Sequence, residues 1–127
     1  MDDLVCEPSR EIPVLREADV VVVGGGPGGL PAAIAAARAG ARTVLVERYG
    51  FLGGMATAGL VGPFLGHLAQ KGEPAVQGIF KEMVERLHSR KSAPSWKDCL
   101  QRGGVRFDPE GLKFVADRMV EDEDIHL

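Results

Sequence analysis

Three glycines and one acidic residue are the part of this sequence whose types and spacing point most directly to chemistry. Gly24, Gly26 and Gly29 form the pattern G-x-G-x-x-G, and Glu47 follows about 20 residues further on. In this pattern the first glycine permits a tight turn, the second lets a diphosphate approach the backbone, and the third lets a helix pack closely on a strand. A carboxylate at the end of the next strand can bind both hydroxyls of a ribose. Together these residues predict a dinucleotide-binding site.

The segments around the glycines have the composition needed to position them. Residues 18–23 form a β-branched run without alternation, which indicates a strand of a parallel sheet covered on both faces. A helix is expected over about residues 28–39, with Pro31 tolerated in its first turn and Gly40 ending it as a left-handed cap. Residues 42–46 are the second predicted strand. The free N–H groups and the positive end of the helix would then face the diphosphate.

The residues after Glu47 restrict the choice of dinucleotide. Arg48 suits either the 2′-phosphate of NADP or the adenosine end of another dinucleotide. Because the carboxylate of Glu47 would repel a 2′-phosphate, NADP is disfavoured. Residues 49–67 then contain six glycines in an apolar stretch, where a second crossover helix is absent. Gly53 and Gly54 can expose backbone N–H groups to a phosphate, the alternative being a core loop in which glycines relieve crowding.

A family resemblance is carried by residues 19–64, which read DVVVVGGGPGGLPAAIAAARAGARTVLVERYGFLGGMATAGLVGPF. This stretch resembles the N-terminal FAD-binding segment of FAD-dependent oxidoreductases with a glutathione-reductase-like Rossmann fold. Within that superfamily, ERYGFLGGMAT is most similar to a group that carries a Gly-Gly-Met or Gly-Gly-x-x-Thr turn after the acid. The resemblance implies FAD as the cofactor.

The resemblance also implies a role for individual residues. The first glycines of the motif would surround the FAD pyrophosphate, Glu47 would bind the adenosine ribose, and Arg48 would lie against the adenosine. Gly54 and Met55 would approach the flavin side. The full set of residues expected to contact FAD is Gly24, Gly26, Pro27, Gly28, Gly29, Glu47, Arg48, Gly53, Gly54 and Met55.

Composition limits the other classes of function. The net charge of −3 comes without a basic stripe, so nucleic acid is not an expected partner. Cys6 and Cys99 lie far apart without metal-ligand spacing, which indicates reduced thiols, no metal site and a cytoplasmic protein. Residues 1–17 are interpreted as an N-terminal arm that lacks the features of a signal peptide. No apolar run reaches the ~20 residues that span a bilayer, so we expect a soluble protein without membrane contact.

Two further helices are predicted after the glycine-rich stretch. Residues 75–90 carry a helical stripe of apolar side chains, whereas residues 89–104 are interpreted as an exposed excursion without regular structure. Asp108 is the expected N-cap of the last helix. The buried stripe of that helix is predicted to be Leu112, Val115, Ala116 and Met119. Residues 125–127 lie where the next parallel strand would start, and the resemblance places that strand beside the first one.

The resemblance implies no catalytic residue within this chain, because the resembled family holds its flavin ring and substrate largely through downstream segments. His67 and Thr57 are the candidates in the glycine-rich stretch. A loop histidine without a visible partner is usually solvated, and we expect this of His67. Cys99 is expected to be an ordinary thiol.

These observations predict an α/β chain with a Rossmann-like βαβ dinucleotide-binding fold, additional helices and an incomplete parallel sheet. The arm of residues 1–17 precedes an FAD-binding segment at residues 18–127. The resemblance implies the FAD-binding part of a flavin-dependent oxidoreductase that transfers hydride or electrons between a substrate and an acceptor. An NAD-binding dehydrogenase segment and a non-catalytic nucleotide-binding module are the alternatives. A complete two-domain oxidoreductase needs a longer chain, so an N-terminal piece of a larger flavoprotein, inactive by itself, is expected.

Overall fold

A βαβ unit forms the first half of the fold in a computed structural model that describes residues 7–70 and 72–127. The first strand, β1, is Val20–Val23, the helix α1 is Gly29–Arg38, and the second strand, β2, is Thr43–Val46. The strands are parallel, with Val20 opposite Thr43 and Val23 opposite Val46. The predicted bounds are therefore confirmed to within one or two residues. Gly40 has a φ of 89° and donates to the Ala37 carbonyl, which confirms the left-handed helix end.

Three helices follow: α2 is Ile79–Ser89, α3 is Trp96–Arg102 and α4 is Pro109–Glu121. Helices α1, α2 and α4 pack on one another, and α3 packs on α2. Helices α1, α2 and α4 share one apolar core, whereas α3 packs on α2 through a second cluster that contains Val84, Cys99 and Val105. The first core includes Leu30, Ile34, Leu45, Leu52, Leu87, Leu112, Val115, Ala116 and Met119. The predicted stripe of the last helix is thereby confirmed. Burial of each large aliphatic side chain favours the folded state by about 1.5 to 3 kcal/mol, so the core holds the helices against the βαβ unit.

Helix α3 contradicts the prediction that residues 89–104 lack regular structure. Ser95 is its N-cap and accepts a hydrogen bond from the Asp98 amide at 3.2 Å. Gly103 ends the helix with a φ of 68°. The pair Ser95 and Asp98 is a capping signal of the S-x-x-D type. A seven-residue helix is too short to show a hydrophobic period, so the apolar pattern does not reveal it.

The bounds of the next two helices also follow from local signals. Helix α2 begins at Ile79 rather than at residue 75, because Gly78, with a φ of 60°, precedes it, and Val76 remains 46% exposed. Helix α4 begins as predicted. The carboxylate of Asp108 accepts hydrogen bonds from the amides of Glu110 and Gly111 at 3.3 and 2.9 Å. This capping satisfies N–H groups that have no partner within the helix.

The third strand position lies beside β2, so the expectation that it would lie beside β1 is wrong. His126 forms a parallel bridge with Val44, and the Leu45 amide donates to the His126 carbonyl at 2.8 Å. Helix α4 packs on α1 and thereby returns the chain to the β2 side of the sheet. Ile125 enters the core at 7% exposure, which fixes this arrangement.

The first strand is not covered on both faces by the described residues, in contrast to its predicted environment. Val22 packs against the core beneath α1, whereas Val21 and Val23 are 58% and 81% exposed. Asp19 lies directly before β1, and its carboxylate accepts hydrogen bonds from the backbone and side chain of Arg42. These bonds lower the pKa of Asp19 to about 2.

The predicted N-terminal arm is only partly described. Residues 7–17 contain neither helix nor strand and are exposed. The rest of the arm, residues 1–6, lies outside the described residues, and so does the predicted thiol of Cys6. Over the described ranges no helix is long and apolar enough to cross a bilayer.

Candidate functional site

The first and third glycines of the motif are required by the fold itself. Gly24 has a φ of 96°, which residues with a side chain rarely adopt, and its amide donates to the Val46 carbonyl at 2.7 Å. A Cβ atom built on Gly29 would lie 1.7 Å from the Gly24 carbonyl oxygen. The predicted steric roles of these two glycines, turn and close helix packing, are confirmed.

Gly26 and Gly28 are different, because the protein alone would accept a side chain at either position. A Cβ on Gly26 would make only an ordinary contact of 3.6 Å with the Gly54 Cα, and a Cβ on Gly28 would meet nothing within 4 Å. Neither has a positive φ. Their N–H groups make no hydrogen bond within the described part of the chain, and they stand at the N-terminus of α1. Open space beside free amides at a helix N-terminus fits a diphosphate.

Glu47 links the end of β2 to the glycine loop. One carboxylate oxygen, Oε2, accepts a hydrogen bond from the Gly25 amide at 2.7 Å. The other, Oε1, accepts from the amides of Arg48 and Tyr49 at 2.7 and 3.0 Å. The amides of Tyr49 and Gly25 stabilise the charged form and hold the pKa of Glu47 below its ordinary 4.5. Since a carboxylate has about four acceptor positions and three are used here, Glu47 can accept from one ribose hydroxyl, whereas the sequence predicted both.

The turn after Glu47 folds back against the glycine loop. Gly53 donates from its amide to the Gly25 carbonyl at 2.9 Å, and an added Cβ would lie 2.4 Å from the Thr57 side chain. The prediction that the Gly53 amide is exposed to a phosphate is therefore wrong, and the alternative, a glycine that relieves crowding, is confirmed. Gly54, in the 3₁₀ turn Gly54–Ala56, lies so close that an added Cβ would be 2.7 Å from the Gly26 Cα. This contact brings together two predicted site residues that are 28 positions apart in the sequence. It also confirms that the glycine-rich stretch lies over the motif instead of forming a crossover helix.

Gly25 belongs to the site although the sequence analysis gave it no role. A Cβ there would lie 2.3 Å from Cδ2 of Leu52, a side chain with 0% exposure. Its amide and its carbonyl also hold Glu47 and Gly53, respectively. The signal was the run of three consecutive glycines, of which the motif explains only two.

Two cavities flank the glycine loop. One of about 560 Å³ is largely apolar and is lined by Gly26, Pro27 and Gly28 together with core side chains such as Phe80 and Met83. The other, of about 470 Å³, lies beside Glu47 and is lined by Tyr49, Phe51, Asp117 and Ile125, among other residues. The loop lines the first cavity directly and is joined to the second through Glu47, which accepts from the Gly25 amide.

The remaining predicted contact residues are at the surface. The guanidinium of Arg48 stacks on the Tyr49 ring, 4.8 Å from its centroid, and donates to the Tyr49 hydroxyl. Tyr49 in turn stacks on Phe51. The side chain of Met55 is 62% exposed. Arg48 thus contacts Tyr49, which lines the cavity beside Glu47, and Met55 lies on the 3₁₀ turn that begins with Gly54.

His67 is buried, so the expectation of a solvated loop histidine is wrong. It is 2% exposed, and its ring lies about 5.9 Å from Phe80 and 5.8 Å from Trp96. Neither ring nitrogen has a hydrogen-bond partner among the described residues. The covering residue Trp96 is the first of α3, the helix that the sequence analysis missed. His67 is not among the residues that line either cavity.

Thr57 and Cys99 have structural surroundings. The hydroxyl of Thr57 donates to the Leu52 carbonyl at 2.7 Å inside the turn that carries Gly53 and Gly54. Cys99 is a free thiol with 0% exposure, and burial raises its pKa, which suppresses the reactive thiolate. The described ranges hold no group of three or more side chains suited to a metal ion.

The parallel βαβ unit, the glycine turn at the start of α1 and the carboxylate at the end of β2 define a dinucleotide-binding protein of the Rossmann class. A family model described as FAD dependent oxidoreductase matches residues 19–127. The chain belongs to this family, whose cofactor is FAD. The open cradle at Gly26 and Gly28 and the acceptor at Glu47 fit the diphosphate and the adenosine ribose of that cofactor.

Curated relatives are similar over shorter segments. Dihydrolipoyl dehydrogenase of Trypanosoma brucei brucei is 58% identical over 45 residues, which is 35% of this chain and 9% of that protein. Leghemoglobin reductase of Glycine max is 60% identical over 38 residues, covering 30% and 7%. Soluble pyridine nucleotide transhydrogenase of Mycobacterium bovis is 54% identical over 41 residues, covering 32% and 9%. The matched part thus spans less than a tenth of each of these relatives.

Proposed function

We propose that residues 18–127 are the FAD-binding part of an oxidoreductase that transfers hydride or electrons between a substrate and an acceptor. The observation that carries the proposal is the pair Gly26 and Gly28, where glycine is not required by the protein's own packing. Family membership adds the identity of the dinucleotide. When bound, FAD supplies the redox chemistry. The chain itself binds and orients the cofactor.

The proposed binding mode follows the two cavities. The amides of Gly26 and Gly28 and the dipole of α1 hold the diphosphate. Glu47 accepts from the ribose of the adenosine half, which occupies the cavity beside Tyr49. The flavin half extends past Gly54 toward the apolar cavity, where few polar groups compete for it.

The alternative of an NAD-binding dehydrogenase predicts a different structure after β2. In place of a second crossover helix, the chain makes a glycine turn that contacts Gly26 through Gly54. This contact favours FAD over NAD. A non-catalytic nucleotide-binding module remains compatible with the same cradle, and only a redox assay separates it from an oxidoreductase.

The test is a comparison of cofactors on the purified 127-residue chain. FAD should bind and acquire a protein-bound flavin spectrum, FMN should bind far more weakly because it lacks the adenosine half, and NAD should bind more weakly than FAD. Tighter binding of NAD than of FAD would contradict the proposal. Candidate electron donors of different chemical classes are then added to the flavin-loaded chain. Bleaching of the bound flavin indicates an oxidoreductase, and its absence indicates a non-catalytic module.

We also propose a cytoplasmic location. Cys99 is a free, buried thiol, as is usual in reducing compartments. Cell fractionation with an antibody against the chain tests this, and recovery in an organelle or membrane fraction would contradict it.

A further inference from the structure

Two arginines differ from all others in the folded part of the chain. Eight arginines lie between residues 38 and 118. Four of them form ion pairs with carboxylates, and two stack on aromatic rings: these are Arg38, Arg42, Arg86 and Arg118, and Arg48 and Arg90. Arg102 and Arg106 form no ion pair, hydrogen bond or ring contact with the described residues. Arg102 lies near the Asp98 carboxylate and helps to lower its pKa, but neither guanidinium is taken up by a hydrogen bond within the described residues, so both can bind a ligand.

Both available arginines line the same depression. A cavity of about 470 Å³ is bordered by Leu65, Arg102 and Arg106, and it adjoins a cavity of about 460 Å³ bordered by Leu60 and Arg106. The two cavities share Pro63 and Arg106. We call this surface, formed by Leu60, Pro63, Leu65, Arg102 and Arg106, the arginine groove.

The arginine groove has an apolar wall as well as positive charge. Leu60 and Leu65 are each 72% exposed, although leucine side chains favour burial. Leu60 also has a φ of 53°, a strained conformation for a residue with a side chain. Such strain is concentrated at functional sites. The Val61 amide holds this turn by donating to the Met55 carbonyl at 2.9 Å.

The groove lies next to the cofactor site. Ala56 lines both the 460 Å³ cavity of the groove and the 560 Å³ cavity at the glycine loop. Residue 56 ends the 3₁₀ turn that begins with Gly54, which contacts Gly26. Ala56 is therefore part of the wall between the groove and the apolar cavity, together with the stacked rings of Phe64 and Phe107.

We propose that the arginine groove binds a small molecule with a carboxylate head and an apolar body, and that this is the substrate class of the flavin reaction. Two guanidinium groups bind a carboxylate through charge-assisted, bidentate hydrogen bonds. Leu60, Pro63 and Leu65 provide the contact for the hydrocarbon. The role as substrate site rests on the proposed function, whereas the binding of an apolar carboxylate does not.

The test uses octanoate as the probe and the 127-residue chain, with binding followed by amide chemical shifts. Octanoate should shift the amides of Val61, Leu65 and Gly104, and the neutral analogue 1-octanol should bind about tenfold more weakly. Arg106→Gln should weaken octanoate binding about tenfold, and Arg102→Gln similarly. Arg90→Gln is the matched control, because its guanidinium lies on Phe114, and it should leave octanoate binding unchanged.

The same samples distinguish the possible failures. Equal affinity for octanol and octanoate, or shifts centred on other amides, overturns the proposal. If the amide shifts at the groove depend on protein concentration alone, the groove binds a second copy of the chain. This result also overturns the proposal. A parallel FAD titration tests the proposed function separately from the groove, since Arg106→Gln should leave the affinity for FAD unchanged. Arginine-dependent octanoate binding in a chain that does not bind FAD supports the anion site and refutes the flavin function.

Discussion

The contrast between Gly26 and Gly29 gives a direct test of which glycines serve the fold and which serve the ligand. In Gly29→Ala, the new Cβ would lie 1.7 Å from the Gly24 carbonyl oxygen, half of the 3.4 Å at which ordinary contact begins. Helix α1 would have to move away from β1. Overpacking of this kind costs about 1 to 3 kcal/mol, and contact with rigid backbone favours the upper end. For a domain with a total stability of ~5–15 kcal/mol, that is a large fraction.

In Gly26→Ala the methyl group would meet the Gly54 Cα at 3.6 Å, which is an ordinary contact. The free energy of unfolding should therefore change by no more than about 0.5 kcal/mol. The methyl group would nevertheless stand where the diphosphate approaches the backbone. A steric cost of about 1.4 to 2.8 kcal/mol weakens FAD binding by about 10- to 100-fold.

The assay pairs urea unfolding, followed by far-ultraviolet circular dichroism, with an FAD titration followed by flavin fluorescence. Gly28→Ala is the matched variant, since an added Cβ there meets nothing within 4 Å. It should behave like Gly26→Ala, with a normal unfolding midpoint and weak FAD binding. The reasoning is refuted if Gly26→Ala loses as much stability as Gly29→Ala, or if it binds FAD as tightly as the original chain.

Four further substitutions test other contacts. Glu47→Gln keeps only one acceptor oxygen, so the free energy of unfolding in urea should fall by about 1 to 2 kcal/mol. FAD binding, measured by calorimetry, should also weaken. Unchanged stability and unchanged FAD affinity would contradict the described contacts. Because the pKa of Asp19 is lowered to about 2, its contribution to stability is present above pH 3.8 and is lost as the pH falls toward 2. In Asp19→Asn, the urea unfolding midpoint should depend less on pH over that interval. A pH dependence identical to that of the original chain would count against the Arg42 contact. His67→Leu removes two ring nitrogens that have no hydrogen-bond partner in the described part of the chain, and it should raise stability by about 1 kcal/mol in urea unfolding. A loss of stability would indicate that the imidazole has a partner. Asp108→Ala removes the cap of α4 and should lower stability by about 1 kcal/mol in thermal unfolding, and an unchanged midpoint would show the cap to be dispensable.

The parts of the fold that were predictable are those in which the signal is local. The glycine turn, the helix after it and the second strand lie within 30 residues, and the capping residue Asp108 lies directly beside its helix. Each is determined by sterics or by hydrogen bonds between near neighbours in the chain. The pair Gly53 and Gly54 predicted a close approach of the backbone, but the expected neighbour was a phosphate, whereas Gly54 lies against Gly26.

The parts that were not predictable depend on contacts between distant segments. Helix α3 has too few residues for a periodic pattern, yet it covers His67 through Trp96. Whether a loop histidine is solvated or buried is decided by that neighbour, not by the sequence around the histidine. Likewise, the position of His126 beside β2 follows from the packing of α4 on α1, which no local pattern encodes.

The bonds that Gly25 makes through its amide and its carbonyl have a consequence for the kinetics of cofactor loading. Both groups are engaged by other parts of the chain, Glu47 and Gly53, without any contribution from a ligand. The crevice is thus shaped in advance, and a dinucleotide that arrives from solution does not have to order it. Preorganisation of this kind lowers the entropic penalty of association, so capture should be a simple one-step encounter whose rate follows cofactor concentration.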